Sequence, residues 1–363
     1  MQIILFLIII AFLVVVHELG HFLAAKISKI KVDEFAIGFP PKIWGKKIGE
    51  TLYSLNALPF GGFVKILGEN SSEKISKNEI ERSFSYKGKL TQIFVLVAGV
   101  FMNALTAFVL FFIAIVIGLP APAGYAGDKT LLNEHIMVRS VAPKSPADVA
   151  GIKPLDQIKS ISYGGIDRPK EISVESVQKF ISQHENITVK VTVLRGGEEK
   201  EFEVIPKKNI LPDRATLGVE LARVGVLKLS PTDAFFESAK ITVYAGGTVA
   251  LGLYEIIKNA LLGAPDLSEV AGPVGIVSMV GDAANIGFSY TLGFIALISI
   301  NLAVLNLLPF PALDGGRILF IFIESIFRRK INPVVENALN FAGFAILVVL
   351  MVIVTYHDLL RIF

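Results

Sequence analysis

The sequence predicts a polytopic α-helical membrane protein with four transmembrane helices, a β-hairpin between the first two and an inserted extracytoplasmic α+β domain. Three observations carry this expectation. Of the 363 residues, 53% are hydrophobic and only 18% charged, and the mean hydropathy is +0.61. Four apolar runs are long enough to cross a bilayer as helices, at approximately 1–27, 91–119, 290–309 and 338–356. Between the second and third runs lie about 170 residues, ample for a folded domain. The net charge of +3 is too small to argue for a nucleic-acid partner, and no basic–aromatic stripe occurs. With no cysteine, structural disulfides and thiolate metal sites are excluded.

The first run has no basic segment ahead of its apolar stretch and no small-x-small cleavage site, so it is expected to be retained as a span. It continues directly into His17-Glu-Leu-Gly-His21. On a helix, His17 and His21 lie four residues apart on one face, where both imidazoles can reach one metal ion. Glu18 lies beside the first of them, placed to take a proton from a metal-bound water. Three ionisable groups at membrane depth are costly, and such groups persist mainly where they serve a site.

Residues 28–90 form a loop between the first two spans. Within it, about 50–66, apolar alternation and Pro59-Phe60-Gly61-Gly62-Phe63 suggest a β-hairpin. Residues 71–83 are polar and suit a flexible lead-in to the second span. In that span, 91–119, Gly99, Asn103 and Ala104 allow close helix approach and one interhelical hydrogen bond. Residues 120–226 read as the inserted domain, with a helix expected at 174–183 and strands at 187–194 and 201–205. Residues 227–289 form a membrane-proximal helical or linker region. Within it, 241–257 is apolar but bracketed by Glu237, Lys240, Glu255 and Lys258.

The third span, extended to 290–316, ends in Asn306-Leu-Leu-Pro-Phe-Pro-Ala-Leu-Asp314-Gly-Gly316. Asp314 suits a third, oxygen ligand, since two histidines and a carboxylate form a common catalytic zinc set with an open fourth position. Asp-Gly-Gly is also turn chemistry, so a turn or helix cap is the competing reading. Residues 317–337 connect to the last span, 338–356. For Asp314 to meet the histidines, the first and third spans must run in the same direction. One crossing must therefore separate them, which leaves 241–257 at the interface.

These motifs, in this order over nearly the whole chain, resemble the site-2 proteases, a family of intramembrane zinc metalloproteases. The resemblance is closest to the RseP/RasP branch, which carries PDZ domains between its second and third spans. It implies one Zn2+ per chain held by His17, His21 and Asp314, with Glu18 as catalytic base. It further implies a substrate-holding or oxyanion role for Asn306. The hairpin, with Phe60, Gly61, Gly62 and Phe63, would then dip into the membrane and hold the substrate extended by edge pairing; a plain surface hairpin is the alternative. The stretch 98–105 is similar to the family's Gly-Pro-x-x-Asn pattern with Val100 in place of proline. That puts Asn103 either against substrate or in packing.

In the insert, residues 141–165 resemble a single bacterial PDZ domain. Leu155 stands where a glycine is usual, and Tyr163 departs from the usual Asn-Gly. The implied function is hydrolysis of transmembrane segments in single-span membrane proteins, such as anti-sigma factors or remnant signal peptides, after a first cut outside. The PDZ domain would act as a size filter or a peptide-binding module. The alternative is a non-catalytic membrane scaffold that binds C-termini through that domain. The expected partners are these substrates and the lipid bilayer of a bacterial cytoplasmic membrane. Twelve basic residues from Lys26 to Lys89 against seven acidic ones, with Arg317, Arg328, Arg329 and Lys330 after the third span, point to two cytoplasmic loops. Both termini and the insert are then extracytoplasmic, and the site lies in the membrane toward the cytoplasmic side.

Overall fold

The computed structural model describes residues 1–70, 75–123, 131–165, 168–169, 171–208, 215–263 and 271–362. The chain divides into two compact units, one formed by 1–112, 235–283 and 291–363, the other by 113–234 and 284–290.

In the first unit, uninterrupted apolar sequence produces long helices. Among the described residues, four are long and apolar enough to cross a membrane: α1 (Gln2–Ile27), α2 (Lys89–Ile117), Phe288–Leu307 and Pro333–Leu360. The stretch 241–257 lies within a 31-residue helix, Pro231–Leu261, which is long enough to span but is not among those four. Val100 leaves α2 continuous as one helix. Gly20 brings α1 against α2, because a Cβ there would lie 2.3 Å from the carbonyl oxygen of Ala98.

The loop after α1 is more ordered than the sequence suggests. β1 (Val32–Ile48) and β2 (Thr51–Ile66) meet at a turn through Gly49, whose φ of +62° suits glycine. The outer part of this hairpin pairs 44–48 with 51–55, and the chain then folds back so that 34–37 pair with both 62–65 and 52–55. Thr51 Oγ1 donates to the Val32 carbonyl at 2.8 Å and Asn56 Nδ2 to that of Gly38 at 3.0 Å, which holds the fold-back closed. Lys26 at the end of α1 and Arg82 both bond Glu50, and these cations hold its carboxyl below the usual carboxylate range. A buried cluster of Ala24, Ala25, Val32, Val64, Ile66, Val95, Leu96 and Ile321 joins the end of α1 to the sheet, to α2 and to a later helix.

The second unit is a six-stranded sheet in the order β3-β8-β4-β5-β6-β7. Its strands are β3 (Leu119–Pro122), β4 (Leu132–Val141), β5 (Gln157–Ser162), β6 (Val189–Arg195), β7 (Glu198–Val204) and β8 (Val219–Leu227). The helices α3 (Pro146–Ala150) and α4 (Val174–Gln183) complete it. Val189, Val191 and Val193 alternate inward on β6 and pack with Val177, Phe180 and Ile181 of α4. Each such side chain contributes about 1.5–3 kcal/mol on burial. Because β8 pairs with β3, Pro122 opposite Val224, the insert begins and ends on neighbouring strands. Leu155 adopts φ +73°, the left-handed region where a glycine would be unstrained. Asp156 beside it is fully buried and bonded by Arg195 Nε at 2.6 Å.

Among the described residues five α-helices follow the sheet: α5 (Pro231–Leu261), α6 (Pro273–Ile286), α7 (Phe288–Leu307), α8 (Asp314–Phe327) and α9 (Pro333–Ile362). The structure does not carry the third span through to Gly316. Instead α7 closes at Leu307 and Asp314 opens α8, in a stretch the sequence placed at a span end and in a connection. Pro309 and Pro311 explain the break, since proline lacks the N–H a continuing helix needs and restricts the residue before it.

Candidate metal centre

The site forms where α1, α2 and the α7–α8 break meet. His17 and His21 sit one turn apart on α1, both buried. Asp314 reaches them from the first turn of α8, an end where the helix dipole favours a carboxylate. The approach depends on two glycines. A Cβ at Gly315 would lie 2.2 Å from the Leu308 carbonyl oxygen, and one at Gly316 2.2 Å from that of Phe310. Only bare backbone lets α8 begin so close beneath the end of α7.

Three side-chain atoms converge. Asp314 Oδ2 lies 3.0 Å from His17 Nε2 and 3.3 Å from His21 Nε2, and the two Nε2 atoms are 3.1 Å apart. These are the only three such residues among the described ones whose possible ligand atoms group within 4.8 Å. A tetrahedral ion with bonds of about 2.0–2.1 Å spaces its ligand atoms by roughly 3.3 Å, so the triangle has the dimensions a zinc ion requires.

The surroundings orient this set. His21 Nδ1 donates to the carbonyl oxygen of Val95 at 2.9 Å. His17 Nδ1 lies 3.3 Å from Asn103 Nδ2, and Asn306 Nδ2 lies 3.5 Å from His17 Nε2. Gly99 leaves room for both rings, since a Cβ there would sit 2.5 Å from His21 Nε2. Glu18, half-buried, accepts a hydrogen bond from the Val64 N–H at 3.0 Å.

The hairpin therefore touches the metal-motif helix directly. Gly61, at φ +104°, and Gly62 lie against Val14 and Val15, and Phe63 stacks on Phe39 with ring centroids 6.2 Å apart. Phe60 belongs to β2, but its side chain lies outside the described residues. Nothing in residue type marks Val64 or Val95 for the site, because both act through main-chain groups that any residue carries. Asn103 was visible as a polar residue in an apolar span, although not its place at His17.

A family model described as peptidase family M50 matches residues 5–350. A Clostridium perfringens protein provisionally named a zinc metalloprotease is 37% identical, over 96% of this chain and 95% of its own length. A Campylobacter jejuni protein with the same provisional name is 33% identical, over 98% of this chain and 92% of its own. Zinc metalloprotease RasP of Geobacillus kaustophilus is 29% identical, over all of this chain and 98% of its own. The chain belongs to peptidase family M50. With its four apolar helices it is a multi-pass membrane protein.

Proposed function

We propose that this chain is an intramembrane zinc metalloendopeptidase that cuts transmembrane segments of single-span membrane proteins. The observation that carries the reading is the convergence of His17, His21 and Asp314, with Glu18 and both histidines on a helix long and apolar enough to cross a bilayer. The names of the relatives, zinc metalloproteases, support the choice of ion. His17, His21 and Asp314 hold one Zn2+ per chain. When bound, the ion supplies Lewis acidity that activates water and polarises a carbonyl.

The chain's own residues perform the remaining work. Glu18 takes the proton from the attacking water and passes it to the leaving amine. Asn306, 3.5 Å from His17 Nε2, is placed to donate a hydrogen bond to the scissile carbonyl oxygen. A helical substrate hides its peptide bonds, so cleavage requires an extended segment. Residues 62–65 pair with 34–37 on one side, and in this reading their other side, next to Glu18, is where an extended substrate segment adds as a strand.

The substrates in this reading are remnants of single-span proteins already trimmed outside, such as anti-sigma factors or remnant signal peptides, in a bacterial cytoplasmic membrane. The insert is a PDZ-like domain that screens substrates by bulk. A cleft of about 430 Å³ between α4 and residues 215–221, lined by Val141, Ile181, Leu217 and Leu221, favours peptide capture as a second role. Purified protein reconstituted with a single-span substrate tests the activity. Wild type is expected to cut within the apolar segment, and Glu18→Gln to retain zinc and lose at least about a hundredfold in rate. Near-normal cleavage by that variant would remove Glu18 from the chemistry.

A further inference from the structure

We propose that Asn103 is a positioning residue for the metal centre, whose side-chain oxygen accepts the Nδ1 proton of His17 and fixes that ring to ligate through Nε2. The inference rests on the zinc reading above. A histidine that binds metal through Nε2 keeps its ring proton on Nδ1, and an acceptor at Nδ1 sets both tautomer and ring direction. His21 has such an acceptor in the main chain, the Val95 carbonyl oxygen at 2.9 Å. At His17 the corresponding place is taken by the amide of Asn103, 3.3 Å from Nδ1.

Three features of Asn103 suit it to this task. It lies in the interior of a 29-residue apolar helix, where a polar side chain is costly unless it has a use. It is completely buried, with its main-chain oxygen already taken by Ser299 Oγ at 2.8 Å, so substrate cannot reach it without rearrangement. Its Oδ1 has no hydrogen-bond partner. A half-turn of the planar amide about Cβ–Cγ exchanges Oδ1 and Nδ2 within the same volume. The unpartnered oxygen then faces His17 Nδ1, and the N–H on that ring atom satisfies it. His17 Nε2, which points at Asp314 and His21, is left bare for the ion.

The experiment measures the zinc dissociation constant of the full-length protein in detergent, by competition with a chromophoric chelator. Wild type, Asn103→Ala and Asn103→Asp are compared, with thermal unfolding in excess chelator as the check on folding. Asn103→Ala is expected to bind zinc about 10–100-fold more weakly, the usual effect of removing such a partner. A carboxylate can accept but not donate, so Asn103→Asp is expected to stay within about threefold of wild type. Wild-type zinc affinity in Asn103→Ala would overturn the proposal, as would a loss in Asn103→Asp as large as that in the alanine variant. A raised KM with unchanged zinc affinity would also overturn it, assigning Asn103 to substrate instead. If the alanine variant does not fold, the ratio of Asn103→Asp to wild type decides alone: near unity supports the proposal, more than about tenfold weaker refutes it. Failure of the wild type itself to bind zinc would refute the metal reading beneath it, a distinguishable result.

Discussion

Gly99→Ala sets two physical effects against each other in a single methyl group. Gly99 lies inside α2, where replacing glycine by alanine ordinarily stabilises a helix by about 1 kcal/mol. Here the added Cβ would lie 2.5 Å from His21 Nε2, 2.6 Å from His21 Cε1 and 2.8 Å from His17 Cε1. Ordinary contact begins near 3.4 Å, so the His21 ring must withdraw by roughly 0.9 Å. That withdrawal strains the bond from Nδ1 to Val95 and opens the triangle of 3.0–3.3 Å that the three ligand atoms form. Displacement of about 1 Å at reacting groups costs on the order of a hundredfold in rate, and loss of ligand orientation costs about 10–100-fold in metal affinity. Chelator competition and cleavage of a single-span substrate are the assays. Zinc affinity is expected to fall at least about tenfold while the helix melts no lower than in wild type. A Gly99→Ala protein with wild-type zinc affinity and rate would refute the packing of α2 against the two rings.

Other perturbations bear on the remaining parts. Leu155→Gly is expected to stabilise the insert by about 1 kcal/mol by relieving the left-handed backbone at φ +73°, read as slower hydrogen exchange in β4 and β5; faster exchange would contradict it. Asp156→Ala leaves Arg195 without its buried partner and is expected to destabilise the same domain by about 3 kcal/mol, while zinc binding, which involves other residues, stays unchanged. Single cysteines at the exposed Ser76 and Lys179, in a chain with none of its own, are expected to label from opposite sides of the membrane; labelling from the same side would refute the four-span orientation.

The spans were legible because long apolar runs have few folded solutions, and the two metal motifs because their residue types are costly in those runs. Residue type and spacing alone single out His17, His21 and Asp314, although Asp314 by itself reads equally well as a turn. The segment 32–48 was not legible as a strand: Gly38, Pro40, Pro41 and three lysines resemble a loop, and its pairing depends on partners as distant as Ile66. The sequence placed the hairpin at about 50–66 with its turn at Pro59–Gly62. The pairing instead turns at Gly49 and uses Gly61 and Gly62 to approach α1. In sequence the third span reads through Pro309 and Pro311 to Gly316, whereas the chain breaks at the prolines and starts a new helix whose first turn carries the carboxylate, an approach that depends on the close glycine contacts at 315 and 316. The hydrogen bonds from Val64 and to Val95 come from main-chain groups and leave no trace in residue type.

The central claim is that one zinc ion is held by two histidines of the first span and an aspartate 293 positions later than the second of them. Metal analysis of the purified chain against Asp314→Ala tests it most directly. Wild type is expected to carry one zinc per chain, and the variant, folded to the same extent, less than about a tenth of that after brief exposure to chelator. Full zinc occupancy in Asp314→Ala, or a folded wild type that takes up no zinc, would contradict the account.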